Sequence, residues 1–225
     1  MKERYKIVYQ GGEGEIVEKK SRFIAEIRPV ESEEEATAFI AEVKKKYWDA
    51  RHNCFAYVIG ERGQLARCSD DGEPGGTAGK PILEVISGSG IHNIVVVVTR
   101  YFGGTLLGTG GLVRAYSGAM KEGLNHCVLL EKETGYPLTV TVDYNEVGKI
   151  QYLARTNEIH ELSCEYGNEV VFRFLVPEEK IDSFETALTE KTAAKAKLER
   201  GEKLCYGFHG DEVIQMDKRQ EGKES

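Results

Sequence analysis

Six consecutive residues, Ile94-Val95-Val96-Val97-Val98-Thr99, are all β-branched. Branching at Cβ is awkward in a helix and comfortable in an extended chain, so the run predicts a strand. It does not alternate with polar residues, so both faces of that strand must be buried. Any fold for this chain must therefore supply apolar surface on two sides of residues 94–99. Candidate neighbours are legible. Arg4–Tyr9, Glu15–Lys19, Phe23–Arg28 and Asn53–Ile59 are β-rich or alternating. Ser32 with Glu35 three positions on is a capping box that opens a helix, with Ala36, Phe39, Ile40 and Val43 on one face and Lys44-Lys45-Lys46 at its end. Pro81–Ser87 reads as a short helix with proline first, and Gly111–Leu124 as a longer one with Leu112, Ala115, Tyr116 and Ala119 on one side.

A second pattern starts near Tyr136. Strand Tyr136–Val142, helix Tyr144–Arg155, strand Glu158–Tyr166, a Gly167-Asn168 turn, strand Glu169–Val176, helix Glu178–Glu190 and strand Lys203–Phe208 spell β-α-β-β-α-β. That order is the ferredoxin-like split βαβ unit. The polar join Glu131–Gly135 reads as the boundary, giving domains over 1–134 and 135–210 with a flexible tail over 211–225. The fold class is α+β with two domains.

Charge bounds the partners. Thirty Lys+Arg against 37 Asp+Glu leave −7, of which −1 falls on residues 1–134 and −6 on 135–225, so nucleic-acid binding must be local. The apolar run Ile94–Val98 is five residues and no apolar run exceeds six, far short of the roughly 18 of a membrane span. No apolar signal segment follows Met1–Lys6. The reading is a soluble cytoplasmic protein. Cys54, Cys68, Cys127, Cys164 and Cys205 contain no C-x-x-C pair, and the expectation is reduced thiols and no metal site.

Two glycine-rich stretches flank the central strand. The first, Ser69-Asp70-Asp71-Gly72-Glu73-Pro74-Gly75-Gly76-Thr77-Ala78-Gly79-Lys80-Pro81, fails as a P-loop because Pro74 stands at the first glycine position and Pro81 at the Ser/Thr position. Its acids, Asp70, Asp71 and Glu73, are first a turn and only second a cation site. The second, Thr99-Arg100-Tyr101-Phe102-Gly103-Gly104-Thr105-Leu106-Leu107-Gly108-Thr109-Gly110-Gly111, leads from the strand into a helix. It misses the dinucleotide fingerprint because Val113 occupies the third glycine position. Bare N–H groups at such a helix start favour anions, and arginine with aromatics and open glycines suits single-stranded nucleic acid. Candidate binding residues are Lys80, Arg100, Tyr101, Gly103, Gly104, Gly108, Gly110, Gly111 and Arg114, with Arg100 and Arg114 facing one anion. The alternative for Arg100 is an ion pair with Asp70 or Asp71. His52 and Cys54, i and i+2 on a strand, share a face but show no orienting third group for nucleophilic catalysis.

These same residues carry a resemblance. Ser69–Gly79, Val95–Gly104 and Leu107–Tyr116, together with His52-Asn53-Cys54-Phe55-Ala56-Tyr57, resemble the motifs of the IMPACT family, whose bacterial members are the YigZ/YvyE-type proteins. The resemblance covers about residues 15–127, and the later part is similar to the small ferredoxin-like domain that bacterial members append. It implies a first domain like domain IV of elongation factor G (a ribosomal-protein domain-2-like βαβ fold) and a second like its domain V. It implies ribosome or RNA as partner, with the protein partner unknown, and no enzymatic activity is established for the family. Eukaryotic members regulate translation by competing for a kinase activator, largely through an amino-terminal RWD domain, for which this chain has no room before residue 15. His52, Asp70, Asp71 and Glu73 are the further motif residues. The leading function is a non-enzymatic, translation-linked binding protein without cofactor. The alternative is an enzyme or small-anion or nucleotide binder using the same glycine cradle, as in the GHMP kinases, which share a related domain fold.

Overall fold

The computed structural model describes residues 5–210 and 212–216. The chain divides into two compact units, Met1–Glu131 and Lys132–Ser225. In the first, β1 (Tyr5–Gln10), β2 (Gly12–Glu18), β3 (Ser21–Pro29), α1 (Glu33–Lys46), β4 (His52–Ile59), β5 (Leu65–Ser69), α2 (Gly79–Ser89), β6 (Ile91–His92), β7 (Ile94–Tyr101) and α3 (Thr109–Asn125) follow in order. β7 is the central strand of an antiparallel sheet with order β2-β3-β7-β4-β5.

The run of β-branched residues is covered on both faces, and the two faces alternate. Ile94, Val96 and Val98 join Phe23, Ala25 and Ile27 of β3, Ile82 and Ile86 of α2, and Leu112, Ala115, Tyr116 and Ala119 of α3 in one core. Val95 and Val97 join Ala36, Phe39, Ile40 and Val43 of α1 in the other. The period of two along β7 thus sorts its side chains between a pair of helices on one side and a single helix on the other. The Ser32 side chain accepts the Glu35 N–H at 3.2 Å, as a cap should. The reciprocal arm goes elsewhere: Glu35 accepts from the Glu31 N–H at 2.8 Å.

Four strands escaped the sequence, one of them in the expected tail. β5 lies in a stretch to which the sequence assigns no element, and it has no buried residue, which is why no periodicity announces it. β6 is two residues long, held by β1 in parallel register. In the second unit, β11 (Lys197–Arg200) has one half-buried apolar residue, Leu198.

The polar run Glu131–Gly135 is not a loop. It lies within β8 (Val128–Val142), an unbroken strand of 15 residues. Its polar side chains are satisfied in place: Glu133 accepts from the Tyr206 hydroxyl at 2.9 Å, and Thr134 donates to Glu178 at 2.9 Å.

Beyond β8 come α4 (Val147–Thr156), introduced by a 3-10 turn at Tyr144–Glu146, then β9 (His160–Tyr166), β10 (Val170–Pro177), α5 (Ile181–Lys191), β11, β12 (Leu204–His209) and β13 (Glu212–Met216). β11 pairs with β8, β8 with β10, and β10 with β9, all antiparallel, which is the ferredoxin-like order. The closing strand is therefore β11, six residues earlier than Lys203–Phe208; β12 continues along β8 at Leu204–Tyr206. Phe172, Phe174, Phe184, Leu138 and Val140 fill this core. The expected tail is corrected at Glu212–Met216, which pairs with β12. Val213 and Ile214 supply strand character there, and Gly210 at φ +60° begins the reversal. The rest of the tail lies outside the described residues. No helix among the described residues is long and apolar enough to cross a membrane.

Substituting Ser32→Ala removes the α1 cap and should lower stability by about 1 kcal/mol. Urea unfolding of the two proteins side by side checks this, with the midpoint moving and the slope unchanged.

Candidate functional site

The glycine-rich stretches meet at one end of the five-stranded sheet, where β7 ends and β4 begins. The 70–79 loop is built around carboxylates that face inward. Asp70 Oδ1 accepts the N–H groups of Ala78 (2.9 Å) and Gly79 (2.9 Å), and its Oδ2 accepts that of Gly76 (2.8 Å). It thereby caps α2, whose N-terminal residue Ala78 has no capping side chain of its own. Burial pushes the Asp70 carboxyl up, but the three backbone donors outweigh it and hold the group below the usual carboxylate range.

Asp71 holds the loop to the sheet. Its Oδ1 accepts from Lys44 Nζ at 2.7 Å and its Oδ2 from the Asn53 N–H at 2.8 Å, while its carbonyl lies 2.9 Å from His52 Nδ1. Asn53 in turn accepts from the Thr99 hydroxyl at 2.7 Å. Glu73 goes deepest, at 8% exposure. One of its oxygens, Oε1, takes Arg100 Nη1 at 2.6 Å and the Tyr116 hydroxyl at 2.9 Å. Arg100 is itself 6% exposed, its guanidinium 5.4 Å from the Phe23 ring and 5.5 Å from the Phe102 ring. Its Nε is buried without a hydrogen-bond partner.

These contacts revise the sequence reading at several residues. Arg100 is paired, but with Glu73 rather than Asp70 or Asp71, and the guanidinium is sandwiched between rings inside the unit. Arg114 is exposed on α3 and has no ion pair or hydrogen bond among the described residues, so the two arginines do not share the role proposed for them. Lys80 is exposed on the first turn of α2, 3.9 Å from Glu84. Tyr101 donates its hydroxyl to Asp49 at 2.7 Å, and this hydrogen bond holds its phenol above the ordinary tyrosine range.

The thiol beside His52 is enclosed in an internal network. Cys54 is buried with Sγ 3.0 Å from the Asp70 carbonyl oxygen and 3.4 Å from the Tyr116 hydroxyl. Burial pushes the thiol up to about 12, only partly offset by the Tyr116 hydroxyl. Tyr116 is likewise driven upward, by burial first and then by Cys54 and Glu73. Both side chains act as neutral members of an internal network. Among the described residues no three His, Cys, Asp or Glu side chains are grouped to hold a metal ion.

The second stretch has a different character. Gly103 is required by packing: a Cβ there would come within 2.0 Å of the Lys20 backbone. Gly110 is required by nothing inside the protein, since a Cβ there would meet no atom within 4 Å and its φ is ordinary. Gly110 lies in the first turn of α3, whose N-cap, Gly108, provides no side-chain hydrogen bond. Gly104 and Gly108, both at positive φ, and Phe102 and Leu106 are exposed along the same loop, and Gly111 packs at the helix start against Leu107.

Fold and site together define a two-unit α+β protein: a layered unit with an internally tied acidic loop and an open glycine loop, followed by a ferredoxin-like unit. The first unit matches the Impact N-terminal domain over residues 19–124, and the second matches a domain of unknown function, DUF1949, over residues 140–195. The chain belongs to the IMPACT family. It is 43% identical over 202 residues to the IMPACT family member YvyE of Bacillus subtilis, covering 90% of this chain and 93% of that protein. It is 37% identical over 182 residues to YigZ of Escherichia coli, covering 80% and 89%. The mouse protein IMPACT is 36% identical over 98 residues, 41% of this chain and 30% of that one. A crystal structure described as that of a hypothetical protein is 35% identical and superposes with a TM-score of 0.57, covering 88% of this chain and 97% of that one.

Removing one partner of the Glu73–Arg100 pair leaves a buried charge uncompensated, so Glu73→Ala or Arg100→Ala should each cost about 3–5 kcal/mol. Charge reversal at Arg100 therefore reads folding, not binding, and thermal unfolding is the measurement. At Asp70 the folded-state carboxyl lies below its unfolded value of roughly 4. Its contribution is complete above that pH and lost as pH falls through the folded value. Asp70→Asn should lower stability at neutral pH by about 1–3 kcal/mol, with the gap from the parent narrowing below about pH 4 in denaturant titrations.

Proposed function

We propose that this protein is a non-enzymatic, translation-linked binding protein that holds single-stranded RNA, free or on the ribosome, at the glycine-rich face of its first unit. The observation that carries the reading is the start of α3. Its first N–H groups have no side-chain cap, and Gly110 leaves its backbone open where no internal contact demands glycine. Arg114 lies about one turn on, exposed and unspent. Bare N–H groups at a helix start draw phosphate, and a glycine without a packing reason fits a backbone that a ligand approaches closely. The likeness to domain IV of elongation factor G that the family resemblance implies supports the ribosome as the setting.

The state of the acidic loop favours binding over phosphoryl transfer. A kinase-type centre needs carboxylates free to hold a metal or take a proton. Asp70, Asp71 and Glu73 are all committed to internal donors, and Cys54 is held neutral. The buried, unpartnered Arg100 Nε is the one feature that speaks for the alternative, a small-anion binder in the same cradle.

Each phosphate contact on a single strand contributes roughly −0.7 to the slope of log affinity against log salt. Lys80 and Arg114 together contribute about −1.4, a roughly sevenfold loss for a fourfold rise in salt. Arg114→Glu should take about 0.7 off that slope and weaken all sequences alike. Gly110→Ala should leave the fold intact or slightly firmer while weakening binding, because alanine suits a helix better than glycine. Anisotropy of labelled RNA across a salt series, beside thermal unfolding, reads both; unchanged binding in both variants counts against this face.

A further inference from the structure

The turn between β2 and β3 is built the hard way. Glu18 pairs with Ser21, so only Lys19 and Lys20 form the reversal, and both have positive φ, +46° and +68°. That is the pattern of a two-residue turn for which Asn-Gly is suited and lysine is not. Both lysines are exposed, and neither has an ion pair or hydrogen bond among the described residues. The tip is also held in place: Gly103 lies directly against the Lys20 backbone, and its N–H donates to Ser21 Oγ at 3.1 Å. Strained residues of this kind persist only where the surrounding structure holds them.

Trp48, the chain's single tryptophan, is 82% exposed in the turn that the Ala50 N–H closes on the Tyr47 carbonyl. It belongs to the same end of the sheet. Its neighbour Asp49 accepts from Tyr101, whose ring lies 6.4 Å from that of Tyr47 and 5.8 Å from the Arg22 guanidinium, and Arg22 is the register partner of Tyr101 just after the hairpin tip. Among the described residues of the first unit, Trp48 and Val17 are exposed large apolar side chains, and Val17 is the register partner of Arg22 beside the hairpin tip. An aromatic ring as large as that of Trp48 left open to solvent offers a flat stacking surface. Lys44, Arg22 and Arg100 are spent on Asp71, Glu15 and Glu73, while Lys19, Lys20 and Arg51 are unspent, against one unspent carboxylate at the tip, Glu18.

We infer that this end of the sheet is a stacking platform for single-stranded RNA, with a base on the Trp48 ring and the backbone phosphates on the Lys19-Lys20 tip. The inference rests on the RNA-binding reading above and extends its site from the α3 start across β7 to α1. Exposed aromatics beside unspent cations are the sequence-tolerant way to hold an unpaired strand, whereas the bases of a duplex are closed to such a ring.

The sole tryptophan makes the test direct. The full-length protein is titrated at low salt with a uridine octanucleotide, following Trp48 fluorescence and, independently, anisotropy of the labelled RNA. Saturable quenching with the same midpoint as the anisotropy is expected, with duplex RNA of equal length failing to quench. Trp48→Ala should weaken binding about 5- to 50-fold, and Trp48→Phe should restore most of it. The double change Lys19→Asn with Lys20→Gly removes two cations while relaxing the turn. It should raise Tm by roughly 2–4 °C yet take about 1.4 off the salt slope. Binding by anisotropy without quenching, or an unchanged slope in the double variant, overturns this inference and leaves the α3 site standing. No binding at low salt by either measure overturns the RNA reading itself.

Discussion

A buried ion pair organises the first unit. Glu73 and Arg100 are taken from water together, and the Tyr116 hydroxyl shares the same carboxylate oxygen. One residue comes from the acidic loop, one from the central strand and one from α3, so a single cluster ties three elements that are distant in sequence. Such pairs are weak contributors to net stability because desolvation offsets their attraction, yet breaking one is expensive. Their effect is on which arrangement survives: this placement of the 70–79 loop satisfies Glu73, Arg100 Nη1 and the Tyr116 hydroxyl at once. Phe23 and Phe102 complete the enclosure by flanking the guanidinium.

The two glycine-rich stretches consequently play different parts. The first is folded inward, its carboxylates consumed by backbone N–H groups, a lysine and the buried arginine. It is a clasp that positions α2 and the start of β4. The second is open: its helix start is uncapped, and its apolar side chains are exposed. Polar groups satisfied internally cannot also do chemistry on a ligand, whereas unsatisfied N–H groups at a helix start and unspent cations can. This contrast turns an apparent pair of phosphate loops into one loop tied inward and one left open.

Within the second unit the ferredoxin-like order was readable because each element carries its own period. Phe172 and Phe174 alternate with exposed Arg173, and the Gly167-Asn168 turn separates two β-rich runs. What was not readable is how β8 begins. Glu131–Gly135 is polar, and polar runs of that length usually separate elements. Here the ladder with β12 and partners such as Tyr206 and Glu178 keep the chain extended through it.

By itself, the sequence determined that a β-branched strand over 94–99 needs two covering layers, that α1 buries Ala36, Phe39, Ile40 and Val43, and that a second α+β unit follows. These are consequences of local period and capping, which act within a few residues. Only the tertiary structure decided which of Asp70, Asp71 and Glu73 meets Arg100, that Arg114 remains unspent while Arg100 does not, and that Trp48 and the Lys19-Lys20 turn lie toward the end of β7. Charges carry no address in sequence; a carboxylate 27 residues from an arginine becomes its partner only when the fold removes both from water.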